Sequence, residues 1–234
     1  PPDAWKLGHG LGCETDGTMA EWMVLPETGT APAPASLSDV QAACLPTAAL
    51  TAWRAVVTEG QLRPGDVVLV QGTGGVALFA LQFARMLGAR VIATSSSDAK
   101  LERVRALGAD ATLNYRTVPD WGRAARDLAR QLGGRDGADL VIELGGQDSL
   151  GQSLRAVRTG GTVSLIGVLG GASMNAPLGL VVTRAIRLQG ITVGSRDDFV
   201  AMAQAIDRMD LKPVVDRVFA FKQLREALDH LKSG

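Results

Sequence analysis

Two short runs in this chain have the residue types and spacing to grip a charged nucleotide. Gly72-Thr73-Gly74-Gly75-Val76 ends one apolar stretch, Val67-Val68-Leu69-Val70-Gln71, and opens another, Ala77-Leu78-Phe79-Ala80-Leu81. Gly72, Gly74 and Ala77 fit a GxGxxA spacing. The first glycine permits a sharp turn, the second lets backbone approach a pyrophosphate, and the small third residue seats the helix on its strand. The amides of Gly74, Gly75 and Val76, at the positive end of a helix, would face the phosphates. A glycine turn alone can be purely steric; its place between an apolar strand and an apolar helix favours the dinucleotide reading.

The second run is Ser95-Ser96-Ser97, at the end of Arg90-Val91-Ile92-Ala93-Thr94. About 20 residues past the glycine turn, an NAD site places Asp or Glu against the ribose hydroxyls. Serines there can hydrogen-bond a phosphate without the repulsion of a carboxylate. Asp98 follows, and is expected to cap the helix running to Leu107 rather than meet a ribose. Lys100 lies in that helix's first turn, where the dipole disfavours a cation, and reads either as a phosphate partner or as a solvated lysine. The missing acid also weighs against a methyltransferase.

These runs need a sheet to hold them. Strands are expected at Val67–Gln71, Arg90–Thr94, Ala111–Asn114, Asp139–Glu143, Thr162–Ile166 and Leu188–Val193. Helices are expected at Gly75–Leu87, Ala99–Leu107, Trp121–Leu132, Ser149–Val157 and Leu178–Arg184. The strands are continuous apolar runs, as when helices cover both faces of a parallel sheet. Repeated strand–helix–strand units imply right-handed crossovers and a doubly wound α/β fold. Upstream, Ala20–Leu25 reads as a short strand, Thr28–Ser36 as a linker, and Ser38 onward as a helix bent at Pro46. Downstream, Asp197–Met209 reads as helix, Val214–Phe221 as extended and Gln223–Leu231 as a last amphipathic helix.

At 234 residues the chain can bury a substantial core. Its 24 basic and 24 acidic residues cancel and form no block, which argues against nucleic acid as a partner. The apolar runs are broken by glycine or charge, so no membrane partner is expected. Cys13 and Cys44 lack CxxC spacing, and a reducing, cytoplasmic setting is the default.

Further residues carry a family resemblance. Ala20-Glu21-Trp22, Leu45-Pro46-x-Ala48-x-Leu50-Thr51-Ala52-Trp53, Pro64-Gly65-Asp66, Gln71-Gly72-Thr73-Gly74-Gly75-Val76, Leu107-Gly108-Ala109-Asp110, Asn114-Tyr115-Arg116 and Ile166-Gly167 occur in that order. Together they resemble the medium-chain dehydrogenase/reductase superfamily, particularly its zinc-independent, alcohol-dehydrogenase-like and quinone-oxidoreductase-like branches. The resemblance implies a Rossmann domain over 45–195, remnants of a GroES-like catalytic domain over 1–44, and a C-terminal return segment over 196–234. It implies Thr51 near the nicotinamide as a positioning hydroxyl, and Gly145, Gly146, Gly167 and Val168 as backbone contacts on the rim of the cofactor cleft. It also implies Val193, Gly194 and Ser195 beside the nicotinamide amide, with Lys100 and Tyr115 holding the extra phosphate of NADPH. A homodimer through the edge strand Leu188–Val193 is implied as well.

Zinc-dependent members carry a metal ligand four residues before the threonine matched by Thr51; here that residue is Thr47, a poor zinc ligand. Cys44 would face another direction on the helix, and neither His9 nor His230 has a partner at ligand spacing, so no metal is expected. Set against full-length members, the chain reads as truncated at both ends, with exposed core surface as the consequence. The expected function is hydride transfer by an oxidoreductase favouring NADP(H) over NAD(H), acting on a small-molecule carbonyl, quinone or activated alkene without zinc. The alternatives are a non-catalytic NADPH-binding module and an NAD-dependent zinc alcohol dehydrogenase.

Overall fold

The computed structural model describes residues 10–12, 15–171, 173 and 176–233. His9 and Cys13 lie outside the described residues. The first regular helix, α1 (Asp39–Ala42), starts at a capping box. The Ser38 side chain accepts from the Gln41 amide, and the Gln41 side chain accepts from the Ser38 amide. Pro46 then interrupts the α-helical ladder, because it has no N–H to donate. The chain continues through a π-helical turn at Leu45–Ala49, α2 (Leu50–Trp53) and a second π turn at Arg54–Thr58.

From there strands and helices alternate. β1 (Val67–Gln71), α3 (Gly75–Met86), β2 (Arg90–Ser95), α4 (Asp98–Ala106), β3 (Ala111–Asn114) and α5 (Trp121–Gln131) form one half. β4 (Ala138–Glu143), α6 (Gln147–Ala156), β5 (Val157–Leu165), α7 (Leu178–Thr183) and β6 (Arg187–Gly190) form the other. All the pairings are parallel, in the order β3-β2-β1-β4-β5-β6. This is the doubly wound Rossmann arrangement, whose order reverses between β1 and β4. α8 (Arg196–Met209) and α9 (Leu224–Ser233) follow the sheet.

Successive strand residues feed opposite faces, because side chains alternate along a strand. Val68 and Val70 of β1 join Phe79, Phe83, Trp53, Met202 and Ile206 on one face. Val67 and Leu69 join Trp121, Ala125, Leu150 and Leu154 on the other. Phe83 is fully buried, edge-on to Trp53 at 5.3 Å and stacked with Phe79 at 5.9 Å. The helical run Asp39–Thr58 has the length and mean hydropathy (1.2) of a membrane span. Its Leu45, Ala49, Ala52, Ala55 and Val56 are fully buried against this sheet, the placement of a core helix.

The structure corrects several expectations. Ala20–Leu25 is not a strand, because among the described residues no neighbouring backbone pairs with it; Trp22 and Val24 are 90% and 100% exposed. Ser97, not Asp98, caps α4 by accepting from the Lys100 amide, leaving Asp98 in the first turn. β5 begins earlier than Thr162, and β6 ends at Gly190, with Ile191–Val193 outside the ladder. The stretch from Val214 to Ala220 has no strand partner among the described residues.

Candidate functional site at the carboxyl edge of the sheet

A parallel sheet sends all its strand ends to one edge, and most of the residues singled out above sit there. Gly72–Val76 follow β1, Ser95 closes β2, Tyr115 follows β3, Gly145 and Gly146 follow β4, Gly167 and Val168 follow β5, and Val193–Ser195 follow β6. The turn after β1 stands where the strand order reverses, the usual place for a ligand crevice.

Gly72 has φ +75°, a left-handed conformation that a Cβ disfavours, and its amide donates to Thr94 O at 2.9 Å. Gly74 is the N-cap of α3, with no side-chain cap and no acid in the first turn. A Cβ placed on Gly74 would meet no protein atom within 4 Å. The amides of Gly75, Val76 and Ala77 have no partner within the helix they begin. An open space over uncapped amides at a positive helix end fits a pyrophosphate. Gly75, by contrast, lies against Ala48, 3.2 Å from where its Cβ would be, so α3 is pressed onto the helical run that carries Thr51.

The three serines at the β2 tip carry no carboxylate. Ser95 is buried; its Oγ accepts from the Ser97 amide at 3.3 Å and its carbonyl from the Tyr115 amide at 3.1 Å. The Tyr115 ring is exposed. Asp98, the nearest acid in sequence, accepts from Asn114 Nδ2 at 2.7 Å. Ser96 is half-buried beside them, and Lys100 lies one turn into α4.

On the other side of the crevice the loops after β4 and β5 are joined backbone to backbone. Gly170 N donates to Gly145 O at 2.7 Å and Gln147 N to Gly171 O at 3.4 Å. A Cβ on Gly167 would collide with the Leu144 carbonyl, so only glycine allows this approach. The amides of Gly145 and Gly146 are not free for a ligand: both donate to Glu143 Oε1, at 2.9 and 3.0 Å. Val168 is 63% exposed.

Thr51 stands apart from the strand ends, buried in α2, and its hydroxyl donates to Thr47 O at 2.7 Å. That bond occupies the hydroxyl proton and leaves oxygen lone pairs as acceptors. Cys44 donates its thiol to Val40 O at 3.5 Å. Among the described residues no group of three or more potential metal-ligating side chains assembles.

The last segment of the edge is strained and pinned. Val193 has φ +47°, costly for a β-branched residue. Gly194 packs on Leu50, and Ser195 caps α8 in a reciprocal pair with Asp198. Burial opposes the charge of Asp198, but bonds from the Ser195 amide, the Thr58 hydroxyl and the Ser195 hydroxyl, with Arg54 nearby, outweigh it. Its carboxyl is held below the usual carboxylate range. A hollow of about 270 Å³ at the amino edge of the sheet is lined by charges that pair with one another, Arg158 with Asp139 at 2.5 Å and Arg187 with Glu59 at 3.3 Å.

Sequence reasoning missed Glu143, Gln71, Ser149, Ser153 and the Asp198–Thr58 contact. The one available signal was an acid closing the apolar run Ala138-Asp139-Leu140-Val141-Ile142-Glu143.

Comparison with known proteins agrees with this architecture. The profile of the family described as zinc-binding dehydrogenase matches residues 75–208. A zinc-type alcohol dehydrogenase-like protein of Schizosaccharomyces pombe is 41% identical over 235 residues, covering 98% of this chain and 67% of its own. The solved structure of an alcohol dehydrogenase from Sinorhizobium meliloti 1021 superposes with a TM-score of 0.90 at 47% identity, covering 97% of this chain and 65% of that one. An NAD-dependent alcohol dehydrogenase superposes with a TM-score of 0.84 at 38% identity, covering 95% and 64%. The chain thus spans about two thirds of the length of these relatives. With its strand order, glycine turn and these matches, the chain belongs to the zinc-binding dehydrogenases of the medium-chain dehydrogenase/reductase superfamily.

Proposed function

We propose that this chain is the cofactor-binding part of an NADPH-dependent oxidoreductase that reduces a carbonyl, quinone or activated alkene without catalytic zinc. The observation that carries this reading is the β2 tip: three serines stand where a ribose-binding acid is expected, and Asp98 is turned to Asn114. A phosphate there meets the hydroxyl groups of Ser95-Ser96-Ser97 where the acid is expected, with Asp98 bonded to Asn114.

The reduced nicotinamide, when bound, supplies a hydride to an electron-poor carbon. The chain's own residues bind and orient. The Gly74–Val76 turn receives the pyrophosphate, and Ser95, Ser96, Ser97, Lys100 and Tyr115 surround the 2′-phosphate. The loops at Gly145–Gly146 and Gly167–Val168 shape the opposite wall, and Val193–Ser195 meet the nicotinamide end. Thr51, as an acceptor, orients a donor group near that end. Residues 45–195 form the nucleotide unit in this proposal, with α8 packed into its core through Met202 and Ile206, and 1–44 and the rest of 196–234 belonging to the substrate side. Edge strand β6, extended towards Val193, is proposed to pair with its mate in a homodimer, which light scattering would read as twice the chain mass.

Calorimetry with NADPH and NADH tests the cofactor assignment, and tighter NADH binding would overturn it. A second reading, NAD with zinc, is favoured by the family description and by the likeness to an NAD-dependent alcohol dehydrogenase. It requires stoichiometric zinc in the purified protein, which elemental analysis measures directly.

A further inference from the structure

Glu143 is 1% exposed and has no cationic partner among the described residues. A buried carboxylate of this kind survives only if hydrogen bonds replace its lost water. Five donors do so. Gly145 N and Gly146 N donate to Oε1 at 2.9 and 3.0 Å, joined there by the Ser149 hydroxyl; Gln71 Nε2 donates to Oε2 at 2.8 Å, joined by the Ser153 hydroxyl. Gln71 in turn accepts, through Oε1, from Leu144 N and Gly145 N at 3.1 Å each. The Glu143 carbonyl also accepts from Ile166 N and Gly167 N, at 3.0 and 3.2 Å.

Gln71 is the last residue of β1, directly before the glycine turn, and Glu143 is the last residue of β4. The acid–amide pair therefore ties the end of β1, directly before Gly72, to the loop at Gly145–Gly146, and that loop in turn holds the β5 loop through Gly145 O and Gly170 N. We propose that Glu143 and Gln71 are a positioning pair that sets the width of the cofactor crevice, acting through these loops without touching the cofactor. The proposal rests on the reading of the crevice as a nicotinamide cofactor site.

The pairing is directional, which makes it testable. Gln71 Nε2 must donate and Glu143 Oε2 must accept. In Glu143→Gln the new amide nitrogen faces the Gln71 donor if it replaces Oε2 and the Gly145 and Gly146 amides if it replaces Oε1, and turning the Gln71 amide over would abandon the bonds from Leu144 N and Gly145 N. Exchanging the two residues restores the match: an amide at 143 donates to a carboxylate at 71, which still accepts from Leu144 N and Gly145 N, while Ser153 keeps both its bonds.

The experiment compares the unmodified chain, Glu143→Gln and the exchange variant Gln71→Glu/Glu143→Gln by two readouts. Amide hydrogen exchange without ligand should quicken at 144–146 and 167–171 in the single variant and recover in the exchange variant. The Kd for NADPH, by calorimetry, should rise about tenfold in the single variant and return to within about twofold in the exchange variant. Faster exchange with an unchanged Kd would overturn the proposal, as would an exchange variant no better than the single one. If the unmodified chain binds neither NADPH nor NADH, the cofactor reading fails and this role with it. That outcome is distinct, because it appears before any substitution is made.

Discussion

Thr58 Oγ1 donates to Asp198 Oδ1 at 2.8 Å, joining the end of the helical run before β1 to the first turn of α8. The same carboxylate accepts from the Ser195 amide and hydroxyl through its other oxygen, at 3.0 and 2.9 Å. One acid thus fixes the start of α8 and anchors the chain just after the strained Val193.

That arrangement sets a pH dependence. The folded carboxyl is held below its unfolded value, so its stabilisation is fully present above the unfolded carboxylate range and is lost as pH falls through the folded value. The melting temperature of Asp198→Asn should lie below that of the parent at pH 7, and the gap should close in acid as the parent protonates. A gap that stays constant from pH 7 to pH 3 would rule out the carboxylate as its source.

Gly74 separates folding from binding. Its φ of −79° is open to alanine, and the added methyl meets no protein atom. Gly74→Ala should change unfolding free energy by no more than about 1 kcal/mol, the restricted unfolded chain offsetting a poorer N-cap. The Kd for NADPH should rise at least about tenfold, since the methyl enters the space assigned to the pyrophosphate. Denaturation and calorimetry on one preparation check both halves.

Ser95→Asp restores an acid at the β2 tip. The phosphate argument expects NADPH affinity to fall and NADH affinity to hold or improve, inverting the preference. Equal losses for both cofactors would point to damage at a buried site instead, since Ser95 is 4% exposed.

Phe83 joins α3 to α2 through its contact with Trp53. Phe83→Ala should cost about 3–5 kcal/mol, the usual range for a fully buried aromatic side chain. Urea unfolding gives the value directly, and a loss below about 1 kcal/mol would mean that the α2–α3 contact is not part of the cooperative core.

The central sheet was legible because its residues obey local rules. Val67–Val70 is apolar throughout, the glycine spacing at 72–77 falls between an apolar strand and an apolar helix, and helix patterns fill the gaps between strands. Ala20–Leu25 failed for the opposite reason: an apolar run shows what can pair, not what is there to pair with it. The α4 cap was misassigned between two adjacent residues of similar capping preference, Ser97 and Asp98. Glu143 was passed over because its role depends on Gln71, Ser149 and Ser153, which only the folded chain brings within bonding distance. The positive φ of Val193 likewise has no local signal, since a β-branched residue is the last expected there.

The contact at Gly167 has a wider consequence. Because the β4 and β5 loops meet main chain to main chain, with no room for a Cβ at Gly167, their junction is fixed by peptide groups, while Val168 and Leu169 beside it face outward. Substitution can alter such a junction very little, so variation here is left to the exposed side chains beside it.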